Sequence, residues 1–407
     1  MKNKPFLLLI IFVLIFLRFW YLRSASPSYI ESRIWSVQSI DVMKYSRDLA
    51  REKLGDLEFN KTIDKQISAI SSTGATHVAI GVPYDEEFLP IMRRWVSSAR
   101  NHNLKVWFRG NLSGWEGWFD HKKIDRATHT KMIGEYIVKN ADLFEDGDLF
   151  SSCPECENGG PGDPRHVGGV EEYRNFLVEQ TDTVRQSFRK IGKEILPDLH
   201  SMNGDVARLV MDKETTKRLG GFVVIDHYVA TPEKLVTDIK DIAAKSGGSV
   251  ILGEFGAPIP DIHGNLTEVE QATWVGKALD LLSKEKSLVG LNYWTSFGGS
   301  TKLWNDDGTE RAAANVLRGH FKPAQFKSQV VTWFGIPVGR AQVSEDGKEP
   351  IITDNRGYFS LPLVENSNLT ITKNGFNQYR TPIASNLKIN LEPVNLLSFL
   401  KVFLLGQ

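Results

Sequence analysis

Cysteine is nearly missing from this 407-residue chain, which carries only Cys153 and Cys156. Two thiols so close together exclude a small fold stapled by a disulfide framework. An excess of charge is missing too. The 49 Lys and Arg balance 49 Asp and Glu, and no long basic run breaks that balance, so no nucleic-acid partner is expected. No apolar run reaches the roughly 20 residues that a helix needs to cross a bilayer. No glycine-rich loop follows the first strand candidate, which argues against a dinucleotide or phosphate cradle. The rest is ordinary for a globular protein: 41% hydrophobic and 24% charged residues exclude wholesale disorder. Ten Trp and 22 Phe are present. Aromatic faces stack on sugar rings and also fill cores, so their number alone does not choose between those uses.

The chain opens with Lys2 and Lys4, then an apolar run from Phe6 to Leu17, then Arg18 and Phe19-Trp20-Tyr21-Leu22. This pattern suits a signal anchor with a Trp/Tyr interface belt, or the apolar region of a cleaved signal peptide. The expectation is an uncleaved anchor at the cell membrane with the body outside the cytoplasm. The alternative is a secreted protein, with Ser24-Ala25-Ser26 as the cleavage candidate. Residues 23–32 are polar and Ser-rich and form a linker, so residues 1–32 constitute the first region.

From Arg33 onward, short apolar runs alternate with longer helical patterns. The strand candidates are Ile34–Ser39, His77–Val82, Lys105–Arg109, Leu149–Ser152, Asp198–Met202, Gly221–Ile225, Ser249–Gly253 and Val289–Trp294. Helical spacing of three and four marks Lys61–Ser72, Glu86–Asn101, Val170–Lys190, Pro232–Ala244 and Val269–Leu282. Strands alternating with helices imply a parallel sheet covered on both faces. Eight repeats over residues 33–322 fit a closed (β/α)8 TIM barrel better than a doubly wound sheet.

In such a barrel the chemistry sits at the C-terminal ends of the strands. After the fourth strand comes Cys153-Pro154-Glu155-Cys156-Glu157, and after the seventh comes Gly253-Glu254-Phe255-Gly256. Two carboxyl groups delivered to one barrel mouth are what glycosidic bond cleavage needs. One protonates the leaving oxygen, and the other attacks the anomeric carbon or activates water. Glu155 aligns with the strand end better than its fallback, Glu157. Arg109 closes the third strand. It binds a substrate hydroxyl or carboxylate, or it pairs with a carboxylate of the barrel. Trp115 and Trp118 stand in the glycine-rich segment Gly114-Trp115-Glu116-Gly117-Trp118, which suggests an exposed stacking platform. His200 and Asn203, after the fifth strand, are candidate hydroxyl ligands. No strand end carries a Lys, which disfavours a Schiff-base aldolase. Cys153 and Cys156 form a tight disulfide or stay free. A zinc site completed by Asp163 and His166 has no other support, so neither metal nor cofactor is expected.

These strand ends resemble glycoside hydrolase clan A, the group of barrel enzymes that includes cellulases and mannanases. The resemblance covers roughly residues 33 to 320. It implies Glu155 as acid/base and Glu254 as nucleophile of a retaining reaction on β-glycosidic bonds of a poly- or oligosaccharide. Ile225-Asp226-His227-Tyr228 is similar to the segment whose aromatic hydroxyl orients the nucleophile, which implies that role for Tyr228 and places His227 beside the substrate. Leu291-Asn292-Tyr293-Trp294 is similar to the segment that supplies a sugar-stacking Trp, here Trp294. Many clan members have Asn before the acid/base, and this chain has Pro154. That departure keeps a second expectation open, a catalytically silent barrel that binds glycan at the cell surface.

Beyond Phe321-Lys322-Pro323 helical periodicity stops. Val330–Phe334, Ala341–Val343, Gly357–Leu363 and Asn368–Lys373 are strand candidates separated by turns. Residues 328–393 are expected to form a small all-β accessory domain. Its segments Gly335–Val343, Thr353–Phe359 and Asn374-Gly375-Phe376 resemble the carboxypeptidase-regulatory-like β-sandwich. The apolar tail, residues 394–407, is too short to span a bilayer. It packs on a domain or lies on a membrane surface.

Overall fold

A computed structural model describes residues 29, 32–165, 169–196, 198–345, 350–363, 367–383 and 389–398. The anchor expected near the N-terminus lies outside these residues, as does His166. Among the described residues no helix is long and apolar enough to cross a membrane. The chain divides into two compact units, one of which is Trp35–Lys322.

That unit holds eight parallel strands: β1 Val37–Asp41, β2 His77–Ile80, β3 Lys105–Phe108, β4 Leu149–Phe150, β5 Ser201–Asn203, β6 Phe222–Asp226, β7 Ser249–Phe255 and β8 Leu288–Tyr293. Their order is β4-β3-β2-β1-β8-β7-β6-β5, so the sheet curls until its two edges meet. The seam between β4 and β5 is bridged by Leu199 N–H donating to the Phe150 carbonyl at 2.9 Å. A helix follows each strand: α1 Phe59–Ser72, α2 Leu89–Asn101, α3 Arg126–Lys139, α4 Val170–Lys190, α5 Gly204–Val210, α6 Pro232–Ser246, α7 Glu268–Leu282 and α8 Ala312–Phe321. This is the (β/α)8 barrel that the alternation predicts.

Local chemistry sets the helix ends. Thr231 caps α6 by accepting from the Lys234 N–H, Pro232 fills the first helical position, and Gly247 ends the helix at φ +68°. Thr267 and Glu270 form a reciprocal capping box at the start of α7. Helix α3 escapes the sequence reading for a physical reason. Its buried face includes His129, Thr130, Gly134 and Tyr136 beside Ile133 and Ile137, so the apolar stripe is broken by polar and small residues.

Inside the barrel, alternate strand residues build two layers. The lower is apolar: Val37, Ala79, Trp107, Leu149, Leu199, Val224 and Ile251 pack together. Two residues further along several strands the layer turns polar, with Ser39, Arg109, Ser151, Ser201 and Asp226 all buried. Trp107 joins the layers by donating from Nε1 to Ser151 Oγ at 3.0 Å. The apolar layer fills the barrel below, and the polar layer lies toward the C-terminal ends of the strands.

The other unit takes up the chain from Pro323. Its described residues form a four-stranded sheet and a three-stranded sheet around a core that includes Phe326, Val330, Val343, Phe359, Leu369 and Ile371. Its first strand, Gln325–Val331, starts earlier than its sequence candidate and stops before Trp333 and Phe334, which lie exposed in the following turn.

Candidate active site

Strand β7 makes the first contribution. Its pairing with β6 slips by one residue, so Leu252 faces Ile225 and Glu254 faces Asp226. Strict alternation would send Glu254 outward if Gly253 pointed in. The slip returns it to the mouth. Only glycine fits at 253, where a Cβ would meet Asp226 Oδ1 at 2.3 Å and Arg109 at 2.8 Å.

The loop after β4 brings Glu155. Cys153 and Cys156 are joined as a disulfide, closing a four-residue ring around Pro154 and Glu155. Glu155 lies in the left-handed region at φ 47°, ψ 46°, a conformation that costs a non-glycine residue of order 1–3 kcal/mol and is retained where surroundings enforce it. The ring and a hydrogen bond from Glu155 N–H to the Ser201 carbonyl, 2.8 Å, enforce it here. Glu155, Glu254, Arg109, Glu116, Trp118, Trp294, Met43, Arg47, Pro154 and Asn158 line one cavity of about 210 Å³.

Arg109 organises the floor of this cavity. Its buried guanidinium donates to Asp226 at 3.0 Å, to Glu254 Oε1 at 3.1 Å and to the Gly253 carbonyl, with Asp41 at 4.0 Å. The Tyr228 hydroxyl donates to Glu254 Oε2 at 2.8 Å. Burial and the neighbouring Asp226 push the Glu254 carboxyl up, and Arg109 opposes them. Burial likewise pushes Glu155 up to about 8, with Asp226 and Glu157 adding to the effect. The two carboxyls differ in their donors. Glu254 holds Arg109 and Tyr228, both of which favour its anion, whereas no cation pairs with Glu155 among the described residues. These donors favour the anion on Glu254 over that on Glu155.

The remaining residues singled out in the sequence sort themselves by burial. Trp294 reaches the cavity and meets the Tyr228 ring edge-on at 6.1 Å. Trp118 also lines it, with the Arg47 guanidinium 5.0 Å from its ring centroid. Trp115 is corrected. It is 1% exposed, stacks on Phe176 at 5.3 Å, and donates from Nε1 to the Cys156 carbonyl, so it supports the loop and is no platform. Gly160 makes room for it, since a Cβ there would lie 2.1 Å from the indole.

His200 is corrected likewise. It is buried against Thr181 of α4 at 2.9 Å and Asp198 at 3.3 Å, behind the barrel wall. His227 turns its Nε2 to Asp238 of α6 at 2.9 Å. The Asn203 backbone N–H donates to Glu157 Oε1 at 2.7 Å, and its amide reaches Asn158 at 3.3 Å. Glu157, accepting also from Tyr173, braces the loop from behind. Glu116, Arg47 and Asn158 are cavity residues that the sequence reading did not single out. Glu116 and Asn158 stand beside segments that the sequence did mark, and only folding turns them, with Arg47, into one cavity. Among the described residues no cluster of His, Cys, Asp and Glu could hold a metal ion.

No protein-family model and no curated protein matches the chain. Solved structures do. GH5_18 from Bifidobacterium longum subsp. longum ATCC 55813, in complex with Manb1-4GlcNAc, is 14% identical, with a TM-score of 0.54 over 74% of this chain and 84% of that one. GH5_18 from Streptomyces cattleya, in complex with GlcNAc, is 15% identical, with a TM-score of 0.53 over 75% and 85%. The FMN-binding beta-glucuronidase from Facaelibacterium prausnitzii L2-6 is 12% identical, with a TM-score of 0.47 over 82% of this chain. The chain spans 54% of that protein's length. The GH5_18 likenesses establish a shared barrel fold.

Proposed function

We propose that the chain is a retaining glycoside hydrolase that cleaves β-glycosidic bonds of a poly- or oligosaccharide. One observation carries the reading. Carboxyl groups from two strand ends line a single cavity, and they are differentiated, one held by Arg109 and Tyr228 and the other, among the described residues, in no ion pair.

The division of labour follows. Glu155 carries the proton and gives it to the departing glycosidic oxygen. Glu254 attacks the anomeric carbon, and a glycosyl ester forms as the C–O bond breaks. Glu155, now an anion, then takes a proton from water, which attacks the same carbon and frees Glu254. Trp294 and Trp118 offer faces to the sugar rings. The GH5_18 barrels of the same fold hold Manb1-4GlcNAc and GlcNAc, which supports a carbohydrate as the ligand.

The proposal extends to the whole chain. Its N-terminal apolar segment anchors it at the cell membrane with the barrel outside the cytoplasm, the side on which a disulfide such as Cys153–Cys156 persists. The residues from 328 to 393 then act as an accessory module.

The test is turnover on a panel of polymeric and aryl β-glycosides beside Glu155→Ala and Glu254→Ala. Both variants are expected to lose at least about 1000-fold in kcat on unactivated substrates. Product released with retained anomeric configuration supports the double displacement. Full activity in either variant removes that residue from its role, and bound glycan without turnover would favour the silent barrel.

A further inference from the structure

Three segments of the smaller unit arrive at one end of its three-stranded sheet. Strand Gln325–Val331 lies in the middle of that sheet, between Tyr358–Pro362 and Ile389–Asn390. Beyond Val331 the chain turns back at once. Thr332 N–H donates to the Ile336 carbonyl and Gly335 N–H to the Thr332 carbonyl, both at 2.8 Å. Trp333 and Phe334 are left at the tip of this turn, 70% and 63% exposed. Strand Ile389–Asn390 runs parallel to Gln325–Val331, with Asn390 opposite Val331, so the residues after it continue toward the same end. There Val394 N–H donates to the Gly375 carbonyl at 2.9 Å, and Val394, Leu396 and Leu397 are more than half exposed. The sequence stays apolar to Leu405, with Lys401 the single charge from Val394 onward.

The N-terminal segment is the third to arrive. Ser32 is held near the beginning of the middle strand, where Gln325 Nε2 donates to its carbonyl at 3.1 Å and its Oγ donates to the Ser360 carbonyl at 2.8 Å. Tyr29 lies further along. Its ring meets Tyr358 edge-on at 5.4 Å, and Lys327 Nζ stands 5.5 Å from its centroid. Tyr358 is opposite Gln329, whereas Pro362 is opposite Gln325. Followed from Ser32 back to Tyr29, the chain therefore heads for the end that carries Trp333. Leu22, which closes the apolar N-terminal run, precedes Tyr29 by seven residues, a reach of at most about 25 Å. A bilayer that holds that run lies within this reach of Tyr29. Single apolar side chains on a surface are ordinary, but a group of them marks an interaction site. Tryptophan favours the boundary between lipid and water.

We infer that this end of the smaller unit, the Trp333–Phe334 turn together with Val394, Leu396 and Leu397, rests in the interface of the lipid bilayer that holds the N-terminal segment. The inference rests on the proposed anchor and goes beyond it by naming the surface that meets lipid. A few apolar side chains bind a bilayer weakly and reversibly, so this contact orients a chain that the anchor retains.

The experiment reconstitutes the full chain in phosphatidylcholine vesicles that carry a lipid-borne fluorescence quencher. Cys153 and Cys156 are paired, so a fluorophore attaches to one introduced thiol. One position is Leu397→Cys. The other is Leu363→Cys, at the opposite end of the sheet, where Leu363 is exposed and its N–H donates to the Ala324 carbonyl at 2.7 Å. The chain should float with the vesicles, and lipid should quench the label at 397 severalfold more than the label at 363. Equal quenching in a chain that floats would overturn the inference and leave the anchor standing. So would a label at 397 shielded from lipid and from aqueous iodide alike, because protein would then cover this end. Trp333→Ser combined with Phe334→Ser should lower the quenching at 397 severalfold, and unchanged quenching would remove the turn from the surface. A full chain that does not float would overturn the anchor and this inference together.

Discussion

At the scale of single residues, the site is a contest between burial and pairing. Tyr228 matters because its hydroxyl stabilises the Glu254 anion across 2.8 Å. A hydrogen bond to a charged group contributes about 1.5–3 kcal/mol, so Tyr228→Phe should lower kcat by about 10- to 100-fold. A change in KM alone would show that Tyr228 touches only the ground state. The raised acids also set pH dependence. Glu155, pushed up to about 8, can fill its proposed role of proton donor only while protonated, so kcat/KM should decline as pH rises past about 8.

Stability follows from the same shifts. Glu155, Glu157 and Glu116 are raised to about 8, about 7 and about 7, mainly by burial, from 4.5. The folded chain therefore holds more protons than the unfolded chain as pH rises from 4.5, and stability is lost up to 7 or 8. His77 and His129, lowered from 6.5 to about 4 and about 3 by burial, act oppositely, and their contribution is lost as pH falls below 6.5. Above 6.5 the glutamates act without that opposition. Tm should fall between pH 6.5 and about 8.5, and less so in Glu157→Gln. Equal slopes by scanning calorimetry would mean that Glu157 is not among the causes.

At the scale of elements, the loop after β4 does the positioning. Its disulfide ring, the Trp115–Phe176 stack behind it and the bond to Ser201 hold Glu155 in its left-handed conformation. Opening the ring with Cys153→Ser and Cys156→Ser together frees the backbone to relax toward an ordinary conformation. A displacement of about 1 Å at a reacting group can cost about 100-fold, so kcat should drop by that order while sugar binding through Trp118 and Trp294 persists. A kcat equal to that of the native chain would show that the remaining contacts suffice.

At the scale of the whole molecule, each of the two units has a core of its own, and the chain carries apolar segments near both ends. Val394, Leu396 and Leu397 lie exposed. The proposed anchor is testable by fractionation. The full chain should sediment with membranes and resist a high-salt wash, and a form that begins at residue 33 should be soluble. A shorter form that still sediments would move the attachment to the tail.

How much of this was legible depends on how local each signal is. Strand and helix periodicity needs only the exchange of water for apolar neighbours along one segment. The eight strands and the helix Val170–Lys190 could therefore be read from the order of residues, as could the strand ends carrying Glu155 and Glu254. Trp115 and His200 could not be assigned that way. A tryptophan in a glycine-rich loop looks exposed until Phe176 and Gly160 arrive from distant parts of the chain to enclose it. Nor could Glu116, whose place on the cavity wall depends on a relay through Asn111, His129 and Gln180. The sequence by itself determined the barrel and its candidate acids, because these rest on patterning within segments. Only the tertiary structure decided which acids share a cavity and which of them meets Arg109 and Tyr228, because burial and charge pairing are sums over residues far apart in the chain.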